Sequence, residues 1–352
     1  MSIYYIAGIY FLNLFLATLA IGMKPKIKAA ILIIQAFLFS CLYGYRDMSI
    51  GTDTRNYVAV YNGHYKAEWG FTRFGEICHS IFGDGQNAYK CFLFVVCFWM
   101  ALNFAYFYYV MCENNLRYVN IMYVAMFCMT YVISMSINVI RQGLAISLFV
   151  LGLALYKKEK KKRAYLVMLF APLMHKSVLV VEVVYFLVGR IKDKKKRILL
   201  TTICSMICIV LSRTKIVYWI LSRLHLNRVL AILVGYAIDN SSVGFSVKLI
   251  FYWGCVFVSS LVLYHLNVNQ AYDMLNKLAS AVLLITTLFA ISEITASRFI
   301  INMDCILPLL LGLIYPKIKP QSVYIMLYIA MFGCILMITL KSDAFARQLG
   351  LV

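Results

Sequence analysis

An all-α, polytopic integral membrane protein is the fold class this sequence predicts, and three observations predict it. Apolar residues fill 63% of the 352 positions and the mean hydropathy is +0.82, whereas soluble domains are roughly 45–50% apolar. Charged residues make up only 14% of the chain, against about 25% in globular proteins. The apolar residues also come in unbroken runs of the length that crosses a bilayer as a helix, about 20 residues. A transmembrane barrel would instead alternate apolar and polar positions. The same composition excludes a disordered chain, a collagen-like one and a disulfide-stapled scaffold.

Taken in order, the runs at 2–22, 28–44, 90–111, 118–136, 138–156, 198–212, 246–266, 278–292, 299–315 and 321–340 read as membrane helices. The first lacks a basic start and a small-residue cleavage site, so it reads as a retained helix rather than a signal peptide. The stretch 164–190 has a different character. It is interrupted by Pro172 and by Met174-His175-Lys176-Ser177. Six Lys/Arg precede it in 157–163 and six follow in 190–197. Both clusters belong on the cytoplasmic side, so the segment must enter and return as two short helices or a re-entrant hairpin, with His175 at the turn. Irregular backbone at that depth is tolerated only where it lines protein or a wet cavity. The whole chain, 1–352, then reads as one domain with about 10–12 membrane helices, broken hairpin included, and both termini outside.

Two outward segments exceed a simple turn. Residues 45–89 carry Arg46, Asp47, Asp53, Arg55, Glu68, Arg73, Glu76 and Asp84 among glycines and aromatics. Residues 213–245 carry Arg213, Lys215, Arg223, His225, Arg228 and Asp239 among Trp, Tyr and Leu, the pattern of an interfacial amphipathic helix.

The formal net charge is +20. In a soluble protein that would suggest nucleic acid, but here the cations lie largely between apolar runs, as the positive-inside rule requires, so no nucleic-acid partner is expected. The 11 cysteines fall almost entirely inside apolar runs, as at Cys204, Cys208 and Cys255, with no C-x-x-C pair. They read as small core residues, and neither a metal nor a cofactor is expected. No Walker A loop or dinucleotide fingerprint is present, which argues against a pump driven by its own ATP hydrolysis. The serine-hydrolase and zinc-protease motifs are missing as well.

What remains is charge in or beside apolar helices, which in membranes is functional by default. Asn138-Val-Ile-Arg141-Gln142 joins two apolar runs and places Arg141 at a helix start. There a guanidinium fork and the helix N-terminus suit a pyrophosphate, unless the arginine merely snorkels to the interface. His175-Lys176 offers an acid or base beside an anion-binding ammonium, or a polar turn. Glu293-Ile-Thr-Ala-Ser-Arg298 reads as a ligand-binding pair or a structural one. Gly51-Thr-Asp53-Thr-Arg55-Asn56-Tyr57, followed by Glu68-Trp69-Gly70-Phe71, places carboxylates among aromatics, as in loops that contact sugars. Glu182 and Asp304 lie inside apolar runs, facing a cavity or paired.

In their order, these motifs resemble the EpsG/Wzy-type bacterial polysaccharide polymerases. The resemblance rests on the G-x-D-x-x-N-Y element at Gly51, Asp53, Asn56 and Tyr57 and on Glu68-Trp-Gly-Phe. It continues with Arg141-Gln142-Gly-Leu-Ala, then Pro172-Leu-Met-His175-Lys-Ser177. It covers roughly 50–190, and Arg298 stands at the place of a late arginine of that family. It implies a GT-C-like membrane glycosyltransferase of the bacterial inner membrane with its active site facing the periplasm. Such an enzyme joins repeat units carried on undecaprenyl pyrophosphate, for O-antigen, capsule or exopolysaccharide. Donor and acceptor are both lipid-linked oligosaccharides, and the partners are the bilayer, a flippase and a chain-length regulator. The donor is already activated, in keeping with the missing nucleotide motifs. Arg141, with Gln142, Arg55, Glu293, Arg298 and Lys176, would bind substrate and pyrophosphate. The base would be His175, Asp53 or Glu68. The rival expectation is a flippase or other secondary transporter, which should show two related halves; no internal repeat is visible.

Overall fold

The computed structural model describes residues 3–213, 247–265, 270–290 and 293–342, and among them there is no strand. The interfacial helix expected at 213–245 falls outside the described residues except for Arg213, which ends a helix. Among the described residues five helices are long and apolar enough to cross a membrane: Ile3–Gly22, Pro25–Gly44, Gln86–Met111, Ile140–Lys157 and Gln321–Lys341. The chain is therefore a multi-pass membrane protein. Its contacts divide it into two compact units, Met1–Leu179 with Gly312–Val352, and Val180–Leu311.

In the first unit, α1 (Ile3–Leu19) continues through a single 3-10 turn, and α2 (Pro25–Gly44) starts on a proline, whose missing N–H costs nothing at that position. The buried Lys28 ammonium holds the turn by donating to the Ile21 carbonyl at 2.8 Å and to the Leu116 and Arg117 carbonyls at 3.1 and 3.2 Å. Deeper in, the Gln35 amide donates to the Asn13 carbonyl at 3.1 Å and accepts from Asn120 at 3.0 Å. Such amide pairs tie helices together where lipid offers no partner.

The segment expected as an outer loop contains two short helices, α3 (Thr54–Tyr61) and α4 (Trp69–Phe82), before the long α5 (Gln86–Met111). Their apolar faces meet α5 through a ring cluster. Phe71 lies edge-on to Tyr57 at 5.9 Å, and Tyr61 lies 5.1 Å from Phe92. After α5 the chain differs from expectation. Residues 118–136 do not form one helix but two, α6 (Val119–Phe127) and α7 (Thr130–Ile137), bent by 68° at Cys128-Met129. No proline or glycine marks the bend. It is stabilised from outside: the Tyr10 hydroxyl donates to the Phe127 carbonyl released there, and the Thr130 and Thr339 hydroxyls meet at 2.7 Å.

Next come α8 (Ile140–Lys157), α9 (Lys161–Met174) and α10 (Ser177–Arg190). The expected break in 164–190 is present: Pro172 sits in the last turn of α9, and His175 is extended, with φ −158° and ψ 121°. Helices α8 and α9 pack as a pair. At about 1.5 Å per residue, the 14 residues of α9 return the chain most of the way along α8. This brings His175 back toward the helix end that carries Arg141. At the other end of α8, Lys157 and Lys158 pair with Glu113 at 3.2 and 2.5 Å.

The second unit holds most of α10, then α11 (Lys194–Arg213), α12 (Val247–His265), α13 (Gln270–Leu288) and α14 (Glu293–Asp304), with α15 (Leu307–Gly312) at its boundary. The run read as one helix over 299–315 is interrupted between α14 and α15, where Pro308 cannot supply the N–H a continuous helix needs. Arg197 pairs with Asp273, which also meets Lys277 at 2.7 Å. Asn276 on α13 donates to Ser259 and Ser260 on α12 at 3.2 and 3.0 Å. Cys204, expected in a core, is exposed on α11. The last helix, α16 (Gln321–Lys341), belongs to the first unit and packs on α6 and α7.

Candidate active site

The site is built on a buried cation that no sequence argument singled out. Arg46 follows α2 and is only 2% exposed. Its guanidinium donates to the carbonyls of Tyr43 (2.5 Å), Ile50 (3.3 Å), Ser136 (3.2 Å) and Ile137 (2.7 Å), and to the Thr54 hydroxyl at 3.2 Å. One planar fork with five donors thus locks the end of α2, the loop after it, the start of α3 and the last turn of α7 together. Burial pulls the Arg46 pKa down from its ordinary value, opposed chiefly by the neighbouring Cys97 and Tyr57.

The loop closes onto Asn138. Gly51 has φ +90°, and a Cβ there would lie 2.7 Å from a methyl of Ile137, so only glycine fits. The Thr52 N–H then donates to the Asn138 side-chain carbonyl at 2.8 Å. Tyr57 completes the joint: its hydroxyl donates to the Asn138 backbone carbonyl and accepts from the Ile140 N–H at 3.1 Å. Burial, with the nearby Asp53 carboxylate, pushes the Tyr57 phenol well above its usual pKa, so it remains a neutral donor. These contacts fix the first turn of α8 and with it Arg141.

A second close approach brings in Glu68. A Cβ on Gly70 would lie 2.9 Å from the Leu173 carbonyl oxygen. The glycine therefore lets the start of α4 touch the end of α9. Glu68, the residue capping α4, is brought between the two other candidates. Its Oε2 accepts from Arg141 at 2.6 Å, and its Oε1 lies 3.4 Å from His175 Nδ1. The three side chains are largely buried, at 14% exposure for Glu68, 25% for His175 and 26% for Arg141. Three motifs far apart in sequence thus converge on one carboxylate.

The other candidates are distributed around this centre or away from it. Asp53 caps α3 and acts electrostatically on Tyr57. Gln142 is buried beside Arg141 in α8, whereas Arg55 and Lys176 are exposed. Glu293 and Arg298 both lie on α14 in the other unit, Arg298 exposed. The side chain of Glu293 is outside the described residues. Of the two acids inside apolar runs, Asp304 is paired, accepting from the Tyr252 hydroxyl, and Glu182 is buried. Among the described residues no group of three or more His, Cys, Asp or Glu is placed to hold a metal ion.

Chemically, a carboxylate 3.4 Å from imidazole Nδ1, an approach longer than a good hydrogen bond, favours by its charge the tautomer that leaves Nε2 as the acceptor. The adjoining guanidinium is a preorganised anion site at a helix start. Arg46, Tyr57 and Asn138 hold this arrangement. Tyr57 and Asn138 stand inside the quoted motifs, but nothing in the pattern says that one binds the other; Arg46 has no signal beyond its charge.

No curated protein and no solved structure matches the chain. The EpsG family model matches residues 29–349, nearly the whole length, and the chain therefore belongs to the EpsG family, a Wzy-like family of polysaccharide polymerases.

Proposed function

We propose that this polymerase joins oligosaccharide repeat units carried on undecaprenyl pyrophosphate at the outer face of the bacterial inner membrane. The observation that carries this reading is the Glu68 carboxylate held between Arg141 and His175. An acceptor hydroxyl attacks the anomeric carbon of the donor. The new glycosidic bond forms as the bond to the pyrophosphate oxygen breaks, and the electron pair leaves with the pyrophosphate. His175 takes the hydroxyl proton on Nε2, with Glu68 holding Nδ1, the orienting role a carboxylate plays in hydrolase triads. Glu68 is a poorer base itself, because one oxygen is committed to Arg141 and the other faces His175.

Arg141 meets the charge that grows on the leaving pyrophosphate. Glu68 occupies one of its donors, and an arriving pyrophosphate exchanges with that carboxylate. Gln142, Lys176 and Arg55 complete the substrate contacts in this proposal, with Lys176 and Arg55 exposed to reach a charged ligand. No nucleotide is consumed, since the donor is already activated.

Deleting the gene and resolving the surface polysaccharide on a gel tests the reading. A polymerase mutant retains a single repeat unit and loses the ladder. Loss of both would identify a flippase instead.

A further inference from the structure

We infer that Trp69 is a stacking platform for a sugar ring at the Glu68 centre, with Arg73 and Glu76 as its polar wall. The inference rests on the polymerase reading of that centre and assigns it a saccharide subsite.

Trp69 is 63% exposed although both neighbours are held tightly. Glu68 is ion-paired with Arg141, Gly70 is pressed onto Leu173, and Phe71 is fully buried. The backbone at 69 is thus rigid while its side chain remains outside the packing. The other described tryptophans behave differently: Trp99 lies 5.3 Å from Phe74 and Trp253 stacks at 5.3 Å on Phe257. Among the described residues no ring covers Trp69. A large apolar side chain kept in the open on a rigid backbone is informative where an ordinary exposed leucine is not.

An exposed tryptophan can also anchor at lipid headgroups, but its place on α4 favours a saccharide. Successive helical residues turn by about 100°, so Arg73, Glu76 and Ser80 lie within roughly 40° of Trp69, whereas Ile77 and Ile81 lie roughly 80° and 120° away. The stripe that carries Trp69 is therefore the polar one. Arg73 and Glu76 pair at 2.5 Å and are 61% and 44% exposed. A pyranose has an apolar face of C–H groups and a rim of hydroxyls. An aromatic face with its negative quadrupole takes the first, and a guanidinium beside a carboxylate takes the second. Trp69 directly follows Glu68 in the chain, and the proposal gives its ring the sugar next to the reacting one.

The test uses purified full-length protein and the lipid-free repeat-unit oligosaccharide released from the producing cell's own lipid-linked intermediate. Tryptophan fluorescence should change saturably in wild type and lose that change in Trp69→Phe. By calorimetry Trp69→Ala should bind about tenfold more weakly and Trp69→Tyr near normally. Equal binding by Trp69→Ala and wild type would overturn the subsite while leaving the polymerase reading intact. So would quenching of Trp69 by brominated phospholipid, which would make it a membrane anchor. If wild type itself does not bind the oligosaccharide, the subsite is wrong. Polymerisation of the lipid-linked unit by that same preparation then decides whether the polymerase reading fails with it.

Discussion

Arg141, Glu68 and His175 lie 73 and 34 residues apart in successive steps along the chain, at positions 68, 141 and 175, and each was legible in the sequence as a charge in an apolar setting. Their meeting was not. A charged side chain shows its chemistry in its identity, but its partner is fixed by packing between elements, and here by two glycines and a buried arginine. The base was therefore open among His175, Asp53 and Glu68; the structure adds that Glu68 is engaged by Arg141, and the proposal gives the proton to His175. The guanidinium's fork matters more than its charge. Arg141→Lys keeps the charge but cannot both hold Glu68 and grip a pyrophosphate with paired donors. Chain elongation measured in cells should fall about 100-fold with protein level near normal. An unimpaired ladder from Arg141→Lys would reduce Arg141 to a simple charge at the interface.

Among the elements, the helices read at 2–22, 28–44, 90–111, 138–156 and 321–340 were the most legible, because long apolar runs have few other fates. The break at His175 was legible too, since Pro172 and a polar quartet interrupt an apolar stretch bounded by two basic clusters. The 68° bend between α6 and α7 was not. It depends on the Tyr10 hydroxyl and Thr339, both distant in sequence, and no local residue announces it. Helices α3 and α4 were hidden for another reason: they are short and are held by Arg46 and by a ring cluster rather than by helical propensity. The contact of α4 with α9 gives a test at this scale. Gly70→Ala places a methyl 2.9 Å from the Leu173 carbonyl and should cost about 1–3 kcal/mol, read as a lower unfolding temperature in detergent. Activity should fall further than stability alone explains, because the shift carries Glu68 away from His175. A variant with normal activity and normal stability would show that the close approach does not position the centre.

At the scale of the molecule, composition alone excluded a soluble enzyme, and the ordered motifs carried the family before any contact was known. The α8–α9 pair returns His175 toward the end of α8 that carries Arg141, a consequence of two helices of similar length joined by a short turn. In the proposed reaction one centre of Glu68, Arg141 and His175 performs the polymerising step without a nucleotide. The most direct measurement is polymerisation by purified protein in lipid vesicles supplied only with the lipid-pyrophosphate-linked repeat unit. Wild type should build a ladder and release lipid pyrophosphate in step with each bond. His175→Gln and Glu68→Gln, folded by their unfolding temperatures, should leave single repeat units, since an amide can orient a substrate but cannot take its proton or carry the charge that holds the imidazole. Full ladders from either glutamine variant, or a wild-type requirement for added nucleotide, would show that this centre does not carry the reaction.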